Sequence, residues 1–167
     1  MNSELTKYNH LQIVFDKIHK LVEKYFGEKL DIQIDESENY REIHLSIKDS
    51  EIWISCDDRE LTIGSGFNHS HYNVEYDDIN MGINELFNLL TKRKKHTKYF
   101  KGNSCYKVKT EIETKDSNFS LLSTSSTWNF AFWKPTTVKV IYDEKQIEEA
   151  VIKTEMDEIK HYAQQCI

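Results

Sequence analysis

The stretch IHLSIKDSEIWISCDDRELTI, residues 43–63, decides the fold class of this chain. Its apolar residues recur at every second position, a pattern that is typical of strands with one buried face. The polar segments Asp49-Ser50 and Asp57-Asp58-Arg59 interrupt the alternation and are typical of turns. Strands joined by such short connections pair antiparallel, because parallel pairing needs a long crossover. Together with an earlier alternating run at residues 30–34, the stretch predicts a four-stranded β-meander.

The segments on either side of this meander predict helices and further strands. Apolar residues recur at spacings of three and four in residues 5–25, 79–90 and 152–163, as on one face of a helix. The basic run Lys92-Arg93-Lys94-Lys95 is interpreted as the end of the second helix, where cations oppose the negative dipole end. Further strands are expected at residues 106–113, 119–123, 128–133 and 138–142. We therefore expect an α+β fold over residues 1–167 as a single domain, with antiparallel meander sheets and two to three helices packed on one face.

Composition limits the classes of function. The formal charge of −6 argues against generic nucleic-acid binding, which needs a basic face, and suits a basic protein partner. No segment approaches the roughly 20 apolar residues that span a membrane. The three cysteines, Cys56, Cys105 and Cys166, are widely separated and form no metal or disulfide pattern. We interpret them as reduced thiols and expect a cytoplasmic protein with no membrane partner.

The stretch GSGFNHSHY, residues 64–72, concentrates the side chains with specific chemistry. Residues two apart on an extended chain point the same way, so His69 and His71 could present two imidazoles to one metal. A third ligand would be required, and His44, Asp77 and Asp78 are available. The same histidines could instead hydrogen-bond at a strand end or contact a partner. Because two histidines alone do not complete a zinc or iron site, we expect no metal and no cofactor.

Carboxylates are dense on both sides of the histidines. Asp57 and Asp58 form a turn, and Glu75 and Asp77 precede the second helix. The chain contains no G-x-S-x-G elbow, Walker loop or G-x-G-x-x-G motif. We therefore expect no catalytic residues and an acidic contact surface for a basic protein. The expected partner-binding residues are His69, His71, Tyr72, Asp57, Asp58, Glu75 and Asp77.

The segment ELTIGSGFNHSHY, residues 60–72, followed by acidic residues and a helix, resembles a pattern in bacterial polymorphic-toxin immunity proteins. In that pattern a strand ending in glycine precedes H-x-H-aromatic, acidic residues and a helix. The resemblance covers residues 51–93, and His69, His71 and Tyr72 match its motif positions. It implies a non-enzymatic cytoplasmic protein that binds and neutralises a cognate toxin domain. The alternative left open by the residues is a small metal-dependent enzyme or metal sensor built on His69 and His71.

Overall fold

A computed structural model describes residues 2–38, 40–73, 78–114, 117–128 and 133–164, with side chains from His10 onward. The chain divides into two compact units. The first unit comprises Met1–Phe87 and Ala150–Ile167, and the second comprises Asn88–Glu149. The expectation of a single domain stays a prediction, because folding of the two units as one cooperative body is a property of the protein in solution.

The fold is α+β, as the sequence predicts, and the described residues form three helices and two antiparallel sheets. The elements in chain order are α1 (Asn2–Phe26), β1 (Leu30–Ser37), β2 (Tyr40–Ile47), β3 (Ile52–Cys56), β4 (Glu60–Ser65), β5 (Asn68–Asn73), α2 (Ile79–Thr91), β6 (Lys94–Lys101), β7 (Ser104–Glu113), β8 (Phe119–Ser126), β9 (Thr136–Asp143) and α3 (Glu149–Gln164). A short 3-10 turn, Gly27–Lys29, joins α1 to β1.

The first sheet is a meander of five strands in the order β1-β2-β3-β4-β5. Its register places Leu45 opposite Ile54, and Ile54 opposite Ile63, so the alternating apolar residues share one face. We call this buried side the inner face and the opposite side the outer face. The fifth strand was not predicted: the residues around His69 continue the sheet after a turn at Gly66, whose φ is +60°. Glycine adopts that left-handed conformation without the steric penalty of a side chain.

Helices of the first unit contribute the rest of its core. The helix α1 contacts β1 and β4, and its heptad-spaced apolar residues are buried. Tyr72 on the inner face of β5 packs against Gly82 of α2, where an added Cβ would lie 2.6 Å from the ring. The buried apolar helix residues within the first unit are Leu11, Val14, Phe15, Ile18, Leu21, Val22, Ile79, Ile83, Leu86, Ile152, Met156, Ile159 and Ala163.

The second sheet has four strands in the order β8-β7-β6-β9. Its strand β6 corrects the interpretation of the basic run as a helix end: α2 stops at Thr91, and Lys94 begins the strand. Lys94 is 1% exposed, and its Nζ donates to the backbone carbonyl of Leu89 at 3.1 Å. The prediction was wrong because it assumed that the lysines of this run are solvated, whereas Lys94 is buried and its ammonium group has a hydrogen-bond partner.

Other expectations have mixed outcomes. The strands expected at residues 106–113, 119–123 and 138–142 are confirmed as β7, β8 and β9. The strand expected at 128–133 falls mainly on residues 129–132, which lie outside the described part of the chain. Among the described residues, no helix has the length and apolar character required to cross a membrane.

Phe15→Ala is expected to lower the free energy of unfolding by about 3–5 kcal/mol, because the ring is fully buried and its removal leaves a cavity. Urea denaturation measures the change. Ile13→Ala is the matched control on the same helix, since Ile13 is 41% exposed and its truncation should change stability by about 0.5 kcal/mol or less. Equal losses in the two variants would contradict the assignment of the buried face of α1.

Candidate functional site

The outer face of the five-stranded sheet brings together side chains from four strands. The register places His44 next to Ser55, Ser55 next to Thr62, and Thr62 next to His71. The neighbouring row across the strands runs Ser46, Trp53, Gly64 and His69. Antiparallel pairing with side-chain period two therefore gathers, on one surface, residues that are up to 27 positions apart in sequence.

Trp53 lies across the strand β4 because its neighbour there has no side chain. A Cβ at Gly64 would lie 2.0 Å from Cε2 of the indole, well inside van der Waals contact. The indole Nε1–H donates to the backbone carbonyl of Gly66 at 3.0 Å. A glycine in a strand marks a close approach of this kind. Gly64 and Gly66 of the histidine-rich stretch thus hold the tryptophan in one orientation.

Two imidazoles contact this tryptophan, and a third extends the row of rings. The ring of His44 stacks on Trp53 with centroids 5.2 Å apart, and the ring of His69 lies 5.6 Å away from the indole. His71 meets His69 edge to face at 4.9 Å. Such ring pairs add to the stabilisation that burial of their surface provides. The result is a continuous row of four rings, partly accessible to solvent, across the outer face.

Three carboxylates lie on the side of the Ser55 and Thr62 row that faces away from Trp53. Each carboxylate has one oxygen held by a neighbour. The Tyr40 hydroxyl donates to Oε2 of Glu42 at 2.6 Å, and the backbone N–H groups of Arg59 and Glu60 donate to Oδ1 of Asp57 at 2.7 and 2.8 Å. His71 Nδ1 lies 2.7 Å from Oε1 of Glu60, so Nδ1 carries a proton and donates it.

The hydrogen bond to Glu42 has an electrostatic consequence for Tyr40. It is the main cause that raises the pKa of the Tyr40 phenol to about 12, with burial and the nearby negative charges adding to the shift. Tyr40 therefore stays neutral at physiological pH and acts there as a hydrogen-bond donor. The same bond orients the Glu42 carboxyl group.

A hollow of about 290 Å³ lies between the tryptophan and the carboxylates. Its floor consists of Ser55 and Thr62, whose small side chains leave space at the centre of the sheet. Trp53 forms one wall, and Glu42 and Glu60 line the opposite side. We call this depression the outer-face hollow. It combines an aromatic wall with an acidic wall, a combination that suits a ligand with an apolar stem and a positive end.

A second hollow of about 250 Å³ lies between α1 and α3. It is lined by Lys17, Lys20 and Lys24 on one side and by Glu155 and Glu158 on the other. Lys24 pairs with Glu155 at 2.9 Å, and hydrogen bonds from Tyr25 and Lys24 lower the pKa of the Glu155 carboxyl. This groove is therefore largely neutralised by contacts that join the two helices.

The structure brings together some of the expected partner-binding residues and separates others. Asp57, His69 and His71 all line the outer-face hollow. Asp58 is exposed in the turn between β3 and β4. Tyr72 points to the inner face: it is 7% exposed, and its hydroxyl donates to Glu85, so it does not share a surface with the two histidines. Glu75 and Asp77 lie outside the described residues.

Sequence reasoning missed several residues of the hollow. Trp53, Tyr40 and Glu42 were not among the expected site residues. The alternation of side chains along the strand nevertheless places Trp53 on the sheet face opposite to the buried Ile52 and Ile54. The polar positions of successive strands in a meander share one face. Listing those positions together would have identified the aromatic and acidic residues next to His69.

The metal hypothesis gains no support from the part of the chain that the structure describes. Among those residues no group of three histidine, cysteine or carboxylate side chains is placed to hold a metal ion. One ring nitrogen of His71 is already engaged by Glu60 and Thr62. The expectation of no metal stays a prediction, because Asp77 was one of the possible ligands and is not described.

No family model matches the chain, and no curated protein or solved structure matches it either. The function is therefore inferred from the geometry of the outer face.

Gly64→Ala is expected to destabilise the protein by about 1–3 kcal/mol, because the new methyl group overlaps the Trp53 indole. Near-UV circular dichroism should report the displaced ring, and urea titration should report the stability. In a Trp53→Ala background the same change should be neutral or stabilising, since alanine fits a strand better than glycine. An equal cost of Gly64→Ala in both backgrounds would show that the indole is not what restricts this position.

Proposed function

We propose that this chain is a non-enzymatic binding protein of the immunity type, which neutralises a basic toxin domain through its outer face. The observation that carries the proposal is the outer-face hollow. There a row of aromatic and imidazole rings borders three carboxylates, and within the described residues no lysine or arginine forms an ion pair with any of the three. Charged groups left without an internal counterion favour a cationic partner.

The distribution of charge supports a basic partner. The residues of the first unit include 10 lysines and arginines against 21 aspartates and glutamates, which gives a formal charge of −11. The second unit has 12 basic residues against seven acidic ones, which gives +5. The chain's net charge of −6 therefore understates the acidity of the unit that carries the hollow. The negative electrostatic field of the first unit accelerates association with a basic protein, and this effect weakens as the salt concentration increases.

The aromatic residues supply the contact energy that charge alone does not. Binding energy concentrates in a few anchors, among which tryptophan is enriched, and these sit where surrounding contacts exclude water. Trp53 is held rigidly by Gly64 and Gly66, so little side-chain entropy is lost when a partner covers it. Phe67, 91% exposed at the turn between β4 and β5, is a second aromatic side chain available to a partner.

The first test uses the purified product of any toxin gene adjacent to the gene for this chain. We expect a stable complex that abolishes toxin activity, and a loss of affinity of about 30-fold or more in Trp53→Ala, which corresponds to the 2 kcal/mol or more of a hot-spot residue. Trp128→Ala is the control, because Trp128 is 93% exposed and lies in the second unit. Calorimetry gives the affinities. A basic toxin that is neither bound nor inhibited would refute the immunity function.

Charge reversal at Glu42 and Glu60 should act mainly on the rate of association. The double variant Glu42→Lys/Glu60→Lys is expected to slow association by about tenfold or more at low salt and to flatten its salt dependence, because long-range attraction is lost. Surface plasmon resonance at two salt concentrations measures both. Glu23→Lys, an exposed reversal on α1, is the single-charge control. An unchanged association rate in the double variant would exclude the outer face as the docking surface.

A further inference from the structure

We propose that the outer-face hollow is a receptor for one arginine side chain, supplied by the partner. The inference rests on the proposed function and deepens it, because it names the group that the outer face recognises. It follows from three features of the hollow: the orientation of its carboxylates, the position of its indole and its size.

The carboxylates are oriented before any ligand arrives. Within the described residues, Glu42, Asp57 and Glu60 each use one oxygen in a hydrogen bond to the protein, and their second oxygens, Oε1, Oδ2 and Oε2, accept no bond there. All three carboxylates line the same hollow, Glu42 from β2, Asp57 from the β3–β4 turn and Glu60 from β4. A guanidinium group carries five N–H donors in a planar fork and binds carboxylates in this way.

The indole provides the second half of the receptor. Trp53 stands on the side of the hollow away from the carboxylates, across a floor made of Ser55 and Thr62. An arginine that reaches the carboxylates would lay its methylene stem or its guanidinium plane against this wall. Stacking of guanidinium on tryptophan adds a cation–π attraction, and arginine takes part in it more often than lysine.

The size of the hollow restricts the occupant. A volume of about 290 Å³ lies just below the range for small-molecule pockets, which starts at about 300 Å³. It therefore suits a single long side chain better than a nucleotide or a cofactor. Lysine would bring the same single positive charge on a compact ammonium group, which has no planar fork to pair with a carboxylate through two N–H groups and no flat face to stack on the indole.

The test uses N-acetyl-arginine amide as the probe and Trp53 fluorescence as the signal. The chain has three tryptophans, so the variant Trp128→Phe/Trp133→Phe leaves Trp53 as the sole reporter. We expect a saturable change in emission with a millimolar dissociation constant. Nα-acetyl-lysine amide, which keeps its charged ε-ammonium group, should bind at least fivefold more weakly. Nα-acetyl-citrulline amide, which has arginine's shape without its charge, should give no saturable change.

Variants identify the acceptors. Glu42→Gln and Glu60→Gln, made singly in the same background, are each expected to lower the affinity for the arginine probe about tenfold. This is the effect of losing one charge-assisted hydrogen bond. Glu23→Gln removes an equal charge from α1 and should leave binding unchanged. Thermal unfolding confirms that each variant is folded. Equal binding of the citrulline and arginine probes, no saturable binding of the arginine probe, or equal weakening by Glu23→Gln would overturn the inference.

The result is separable from the test of the proposed function. If the toxin domain binds in a Trp53-dependent manner but the arginine probe does not bind, the arginine receptor is refuted and the immunity function stands. If the probe binds as expected but an adjacent basic toxin is neither bound nor inhibited, the receptor stands and the immunity function is refuted.

Discussion

The register of the β3–β4 pair is the constraint on which the first unit depends. It sets Ile54 opposite Ile63 on the inner face, and with the same pairing it sets Trp53 opposite Gly64 and Ser55 opposite Thr62 on the outer face. A slip of one residue would turn every apolar side chain of one strand to the opposite face. Because burial of the isoleucines excludes that slip, the core also determines which residues surround the hollow.

The outer face contains residues that are locally unfavourable in a strand but give the face its hollow shape. Glycine is a poor strand residue, and three carboxylates placed close together repel one another. Here Gly64 makes room for the indole, Ser55 leaves the floor open, and Glu42 and Glu60 are oriented by Tyr40 and His71. Departures from local preference concentrate at functional sites in folded proteins, which supports the proposal that this surface binds the partner.

Charge is distributed unevenly between the two units, and an average over the chain conceals this. The first unit is strongly acidic, whereas the second is basic. The basic run around Lys94 was interpreted as a solvated helix end, yet Lys94 and His96 are both buried in the second sheet. His96 has one ring nitrogen 3.1 Å from the hydroxyl of Thr110 and the other 3.1 Å from the carboxylate of Asp143. Such polar groups tolerate burial when each has a partner.

Some elements of the fold could be read directly from local patterns. Alternation at Ile43, Leu45 and Ile47 predicted a strand, and spacing of three and four predicted the buried face of α3, because these periods are properties of the backbone itself. The strands β5 and β6 could not be read in this way. The residues of β5 around His69 are polar on both faces, and β6 is rich in lysine, so neither carries the alternation that signals a half-buried strand.

The sequence by itself determined the α+β class, the meander and the buried faces of α1 and α3; that the segment containing His69 and His71 carries the function stays a prediction. Only the tertiary structure decided what those histidines contact. It joined His71 to Glu60, placed His69 beside Trp53, and directed Tyr72 to the inner face against Gly82 and Glu85. The physical reason is that a hollow is formed by residues on separate strands, and their proximity follows from strand pairing, which depends on burial of the whole inner face.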